Sequence, residues 1–209
     1  MTTNTRRAQQ KQQTRQAILD AARHIAAHEG WQTVTIRKIA DRIDYRSPVI
    51  YEYFESKDAL LLALVREGFA SLLTDLTSAR ESDPDPDVAM QRIVRAYCTF
   101  AWRNPDLYQA MYGLGGAPFR ATDTWGEGMR IGDIVGATLT EIAARDQRPW
   151  GDIGGKVLLL WGSVHGMIAL TMAGRIAGDQ EQVTRAAEQV VHDLLIAWGN
   201  TESPSAITI

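Results

Sequence analysis

Two short helical stretches, Thr35 to Ile43 and Pro48 to Phe54, lie only about four residues apart, the length of a helix-turn-helix connection. Pro48 suits the first turn of the second stretch, where no backbone N–H is needed. Ahead of them, Thr14 to Glu29 sets Ile18, Ala21, Ala22, Ile25 and Ala26 on one stripe with polar residues opposite, and Gly30 ends that helix. The apolar Ile36, Ile39, Ala40, Ile43, Ile50 and Phe54 can pack the pair against this first helix. Arg46, Ser47, Pro48, Val49, Tyr51 and Tyr53 are then left to face outward. In such a unit the third helix enters the major groove while the second braces across the backbone. Tyr51 and Tyr53 also admit a reading as core aromatics with a wet hydroxyl.

Cations occupy the expected helix starts. A helix N-terminus carries partial positive charge, so Arg37, Lys38, Arg46 and Lys57 are each unfavourable there by roughly 0.3 kcal/mol unless an anion arrives from outside. A phosphate backbone is such an anion. The chain carries a net charge of −3, yet residues 1 to 60 hold ten Lys or Arg against seven Asp or Glu, so the positive charge is local and reads as a site. Arg6, Arg7 and Lys11 fall in a polar stretch, residues 1 to 13, expected as a flexible basic arm. Such an arm either stays solvated or adds phosphate and minor-groove contacts.

Composition narrows the rest. Cys98 is the single cysteine, so no internal disulfide forms; it reads as a small buried hydrophobe in a reducing cytosol. Met1 to Gln10 lacks an apolar segment and does not look secretory, so a cytoplasmic location is expected. The longest apolar run, Val157 to Ala173, falls short of a bilayer span of about 20 residues and contains His165, so it reads as a buried bundle helix, with no membrane partner. His24 and His28 stand i, i+4, but without further ligands no metal site is expected, and no cofactor either.

Further helices are expected from Ser56 through Leu60, Leu61, Leu64, Val65, Phe69 and Leu72, and near Asp87 to Arg103, Pro105 to Tyr112, Arg120 to Arg145, Gly151 to Ala173 and Gln180 to Trp198. Ser56 can cap the first of these. The acidic, two-proline segment Glu81 to Asp87 marks a bend or linker, and Gly113 to Pro118 a glycine-rich loop. No segment alternates as a strand. The expected fold is all-α with about nine helices: a three-helix DNA-binding domain over residues 1 to 56 joined to a helical bundle over 57 to 199, with a disordered tail from 200 to 209.

Ile36-Arg37-Lys38-Ile39-Ala40, Tyr51-Glu52-Tyr53-Phe54 and Ser56-Lys57-Asp58-Ala59-Leu60 resemble, in order and spacing, the N-terminal signature of the tetracycline-repressor (TetR) family of regulators. The resemblance implies that Thr35, Arg37, Tyr51 and Lys57 hold phosphates while Arg46, Ser47, Pro48, Val49 and Tyr53 approach base edges. Phosphate contacts set register and base contacts set sequence. Where the family usually has a turn glycine this chain has Asp44, followed by Tyr45 in place of a small aliphatic residue. Asp tolerates the left-handed conformation better than most residues, so the turn is expected to survive.

Residues 88 to 199 hold five of the six tryptophans. Trp102, Tyr108, Met111, Tyr112, Trp125, Met129, Trp161, His165 and Met167 could line a concave apolar site, with ordinary core packing as the competing reading for each. Trp161-Gly162-Ser163-Val164-His165-Gly166 is similar to a Trp-x-x-x-His-Gly element in one TetR subgroup, and Pro105 to Tyr112 to the segment before it. By that resemblance the C-terminal domain binds an effector and dimerises through its last two long helices, near 151–173 and 180–198. Gly154, Gly155, Gly162 and Gly166 let a partner helix approach; otherwise each glycine costs a helix about 1 kcal/mol.

The expected function is a homodimeric transcriptional regulator, a repressor of a palindromic double-stranded DNA operator released by a small, largely apolar effector. The alternative is a helical-bundle enzyme acting on an apolar molecule through His165, with the N-terminal unit as an interaction module; no Ser or Cys partner with an orienting acid stands near His165 in the sequence.

Overall fold

The computed structural model describes residues 3–114, 121–147 and 150–200. Nine α-helices and no strand occur among them: α1 (Thr3–Glu29), α2 (Ile36–Arg42), α3 (Ser47–Tyr51), α4 (Lys57–Glu81), α5 (Pro86–Arg103), α6 (Pro105–Met111), α7 (Trp125–Arg145), α8 (Ile153–Met172) and α9 (Gln180–Asn200). The chain divides into two compact units, one from Met1–Phe69 and Pro105–Trp125, the other from Ala70–Asn104 and Gly126–Ile209. The division does not follow the expected border after residue 56. α4 contributes to both units, and α6 belongs to the first.

In the first unit the α1 stripe of Ile18, Leu19, Ala22, Ile25 and Ala26 is buried with Ile39 and Ala40 of α2, Ile50 of α3, Phe54, and Leu60, Leu61, Leu64 and Val65 of α4. Full burial of each large aliphatic side chain stabilises by about 1.5–3 kcal/mol. Ile36 and Ile43, expected in this core, are only half-buried. Gly30 closes α1 with φ +86 and donates from its N–H to Ala26 O at 2.9 Å, as a glycine at that position should. α6 is attached by the Trp31 indole N–H, which donates to Asp106 O at 2.8 Å. Gly68 makes room for it: a Cβ there would lie 2.8 Å from Met111 Sδ and 3.1 Å from Leu107 Cγ.

In the second unit α5 buries Ala89, Met90, Ile93, Val94, Tyr97, Cys98, Phe100 and Ala101, and α9 packs on it with Val183, Thr184, Ala187, Val191 and Leu195. The Trp102 indole N–H donates to Thr184 Oγ1 at 3.0 Å, and the Arg95 guanidinium pairs with Glu188 at 2.6 Å. Burial pushes the Cys98 thiol up to about 12, so the sulfur stays protonated and unreactive. Gly132 and Gly136 of α7 let the Val157 methyls of α8 approach to within 3.7 Å and 3.6 Å of where their Cβ atoms would stand. Asp85 caps α5 by accepting from Asp87 N at 2.9 Å, with Pro86 in the first turn, so the acidic proline segment is a short bend leading into a capped helix.

Several expectations change. Residues 3–13, expected as an arm, are helical and form the start of α1; Ala, Gln, Arg and Lys are all good helix formers and no Gly or Pro interrupts them. α3 stops at Tyr51, not Phe54, because the N–H groups of Glu52 and Tyr53 turn back to Val49 O and Ile50 O, three residues earlier, and the tightened turn sends Phe54 into the core. α7 starts at Trp125 after a 3-10 turn at Ala121–Thr124. α8 is not a buried helix: only Leu160, Val164 and Ile168 are buried, while Leu158 is 62% exposed, Leu159 56% and Leu170 48%. Asn200, expected in the tail, closes α9. Arg120, residues 115–118 of the expected loop and 201–209 of the expected tail lie outside the described residues.

Candidate nucleic-acid interface and effector residues

The turn before α3 is built by Asp44 at φ +57. Its left-handed backbone lets Tyr45 N donate to Ala40 O at 2.9 Å while Ile43 N donates to the same oxygen at 3.2 Å, satisfying a carbonyl that the end of α2 leaves open. Arg46 then sits extended ahead of α3 as its N-cap, with no side-chain bond to the helix, and Pro48 occupies the first turn. Arg46, Pro48 and Tyr51 are exposed, Tyr51 to 54%. Ser47, Val49 and Tyr53 are half-buried, Tyr53 lying just past the end of the helix. Tyr51 is therefore not a core aromatic.

The helix starts carry the expected charge pattern. Thr35 caps α2, its hydroxyl accepting from Lys38 N at 3.2 Å, and the first turns of α2 and α3 contain no acid. Remaining N–H groups and the Arg37 side chain, 87% exposed and held only loosely by Asp41 at 3.9 Å, are open to an anion. Lys38 is different: its ammonium bonds Glu29 at 2.5 Å and holds that carboxyl below the usual carboxylate range. Lys57 is half-buried as the first residue of α4, where Ser56 Oγ accepts from Ala59 N at 3.0 Å, the cap its sequence position suggested. Tyr45, 42% exposed between the left-handed turn and Arg46, shares this surface although it is not among the candidates chosen from sequence. Its placement beside a strained turn residue was the available signal.

The nine effector candidates are spread over both units, Met167 half-buried in the second. In the first, Tyr108 is fully buried and Met111 nearly so, with the Tyr108 and Tyr112 rings 4.8 Å apart and Tyr112 edge-on to Phe69 at 5.7 Å; Tyr108 and Met111 are core residues. Trp125, at the other end of that unit's sequence, is 63% exposed. In the second, Trp161 stacks on His165 at 5.2 Å and its indole N–H donates to Tyr97 Oη at 3.2 Å, Trp102 is tied to Thr184, and Met129 is 58% exposed. Burial holds the His165 imidazole below its ordinary value, so it is neutral at pH 7. A cleft of about 690 Å³ opens among α5, α7 and α9, lined by Val88, Gln91, Ile142, Arg145, His192 and Leu195 among others; none of the nine candidates lines it. His24 and His28 stack on each other at 4.0 Å, with His28 Nδ1 2.8 Å from His24 O.

Comparison with known proteins bears on both halves. Residues 18–64 match the family of bacterial regulatory proteins named for tetR, and residues 90–194 the tetracyclin repressor-like C-terminal domain. The chain is 30% identical over 101 residues to the HTH-type transcriptional repressor KstR of Mycobacterium tuberculosis, covering 48% of this chain and 46% of that protein. It is 25% identical over 206 residues to the HTH-type transcriptional regulator Mb1846 of Mycobacterium bovis, covering 83% and 87%. The chain spans about half the length of several curated relatives that it matches, KstR included. A solved structure of a protein of unknown function from Rhodococcus sp. RHA1 superposes with a TM-score of 0.73 at 25% identity, over 84% of this chain and 92% of that one. With a helix-turn-helix ahead of an all-helical unit and family matches in both halves, the chain belongs to the TetR family of bacterial regulatory proteins.

Proposed function

We propose that the protein is a cytoplasmic, ligand-responsive transcriptional repressor that binds a palindromic operator as a homodimer. The observation that carries this is the outward face of the helix-turn-helix: Arg46, Pro48 and Tyr51 exposed on and before α3, flanked by acid-free helix starts where Arg37 and the Thr35 cap await an anion. Thr35, Arg37, Tyr51 and Lys57 hold phosphates; Arg46, Ser47, Pro48, Val49 and Tyr53 approach base edges, and Tyr45 joins them. The family assignment supports this reading over the helical-bundle enzyme acting through His165.

The second copy covers α8. Leu158, Leu159 and Leu170 are exposed there, and a Cβ at Gly162 or Gly166 would meet nothing within 4 Å inside the chain. Such a face admits close approach by the same helix of a partner, with α9 beside it, in a two-fold contact. α8 is 20 residues long with a mean hydropathy of 1.4 over its most apolar window, values a membrane helix also reaches, but it packs on α9 and α5 and carries Lys156, Ser163 and His165. A small, largely apolar effector touching Trp161 and His165 shifts the dimer toward a spacing of its reading heads that no longer fits half-sites about 34–36 Å apart.

Selection of bound sequences from random duplex DNA tests the proposal. A palindrome is expected, and recovery of no common sequence overturns it. Sedimentation of the purified protein should give twice the chain mass, and a monomer in detergent-free buffer would remove the two-fold operator from the argument.

A further inference from the structure

We propose that residues 3–13 of α1 form a basic helical strut that grips DNA phosphates outside the half-site read by α3. The proposal rests on the reading of the chain as an operator-binding regulator, and adds a second contact region to it.

Residues 5–13 are exposed throughout. No apolar side chain larger than alanine occurs between Thr3 and Ile18, so burial cannot hold this part of the helix; a helix polar all round is sustained by partners or not at all. Its charge is one-sided. No Asp or Glu precedes Asp20, the first turn of α1 contains no acid, and among the described residues Arg6, Arg7 and Lys11 form no ion pair. Farther along the same helix the cations are paired, Arg15 with Glu67 at 3.3 Å and Arg23 with Glu67 at 3.7 Å. Arg7 and Lys11, spaced i, i+4, share a face and repel unless an anion bridges them. Arg6 and Arg7 also stand against the positive end of the helix dipole. Polyanionic phosphate relieves both.

The strut adjoins the end of the reading helix. The Arg15 guanidinium lies 5.1 Å from the centroid of the Phe54 ring, and Phe54 closes the turn between α3 and Lys57 at the start of α4. Residues 5–13 continue α1 beyond this contact, all of them exposed. At 1.5 Å per residue Arg6 lies about 13 Å beyond Arg15, which along DNA is about four base pairs. A tail would spread these cations over many positions; a helix delivers them at fixed separations along one line of phosphates.

The test is salt-dependent binding of the full-length protein and of R6Q/R7Q/K11Q, measured by fluorescence anisotropy on the selected operator with long flanks, the same operator trimmed to its half-sites, and a scrambled long duplex. Glutamine preserves helix propensity, and unchanged ellipticity and thermal midpoint confirm the fold. On both long duplexes the slope of log K against log salt should be shallower for the variant by about 0.9 for each cation engaged, up to about 5 for the six in a dimer. The ratio of operator to scrambled affinity should stay constant, and R6K/R7K/K11R should keep the native slope. On the trimmed operator the two proteins should coincide. Equal slopes on the long duplexes, or a difference that persists on the trimmed one, overturns the strut. If selection yields no operator, the repressor reading fails separately, while the scrambled duplex still tests the strut.

Discussion

Replacing Asp44 by valine should destabilise the first unit by about 1–3 kcal/mol, a figure built from the turn itself. Asp44 sits at φ +57, where an L-residue pays about 1–2 kcal/mol against its preferred backbone and a β-branched side chain pays at the upper end. Aspartate offsets part of that cost through its short polar side chain; valine cannot. If the turn relaxes to avoid the strain, Tyr45 N and Ile43 N lose their 2.9 Å and 3.2 Å bonds to Ala40 O, worth about 1 kcal/mol each. Either route costs stability, and the second also moves Arg46 and α3. Asp44→Gly removes the strain but frees the unfolded chain by about 0.4–1 kcal/mol, so it should lie near the native protein. Asp44→Asn keeps the tolerance for the left-handed region and deletes only the charge. Urea unfolding of all four proteins separates conformation from charge, and anisotropy titration reports the interface. Expected stability is native, Gly and Asn alike, with Val below; Gly and Asn should bind any duplex somewhat more tightly because an anion beside the phosphates is gone. A valine variant as stable as the native protein would refute the account of the turn.

Tyr53→Ala should weaken operator binding by about 1–3 kcal/mol if the ring reads a base, whereas Lys57→Ala should weaken all duplexes and flatten the salt slope by about one unit; equal losses on operator and random DNA in both variants argue against that division. A Cβ at Gly162 would meet nothing within 4 Å inside its own chain, so Gly162→Leu should stabilise the isolated helix by roughly 0.5–1 kcal/mol, yet halve the sedimenting mass; a persistent dimer places the seam elsewhere. His165 is held below its ordinary value of 6.5 by burial. The unfolded chain therefore takes up a proton first as pH falls below 6.5, and stability should decline from there until the folded-state value is passed, then level. His165→Gln should flatten that part of the urea midpoint profile, and an unchanged profile would show that the ring is not the group responsible.

Much of the candidate interface was legible because the chemistry that builds it is local. A cap bonds a backbone N–H three residues on, as Ser56 does for Ala59, and a left-handed residue closes a turn over five residues, as Asp44 does between Ala40 and Tyr45. Pro48 and Gly30 act at their own positions. Helix bounds follow from the same local rules except where these are silent: nothing between Thr3 and Thr14 stops a helix, and α3 ends before Phe54, which is buried in the core, with Glu52 and Tyr53 bonding back three residues.

What the amino-acid sequence by itself determined is the all-helical class, the helix-turn-helix and the exposure of Arg46, Pro48 and Tyr51 on it, all consequences of periodicity, capping and turn stereochemistry acting within a few residues. Only the tertiary structure decided which helices belong together and what each apolar face meets. Trp31 binds Asp106 across 75 residues of chain, which places α6 in the first unit. Tyr108 is sealed in a core while Trp125 stays 63% exposed, although both are aromatic residues in helical surroundings. The apolar α8 is covered on one side alone. Burial is a property of neighbours distant in sequence, and hydrophobicity states only that a side chain would gain from being covered, not by what.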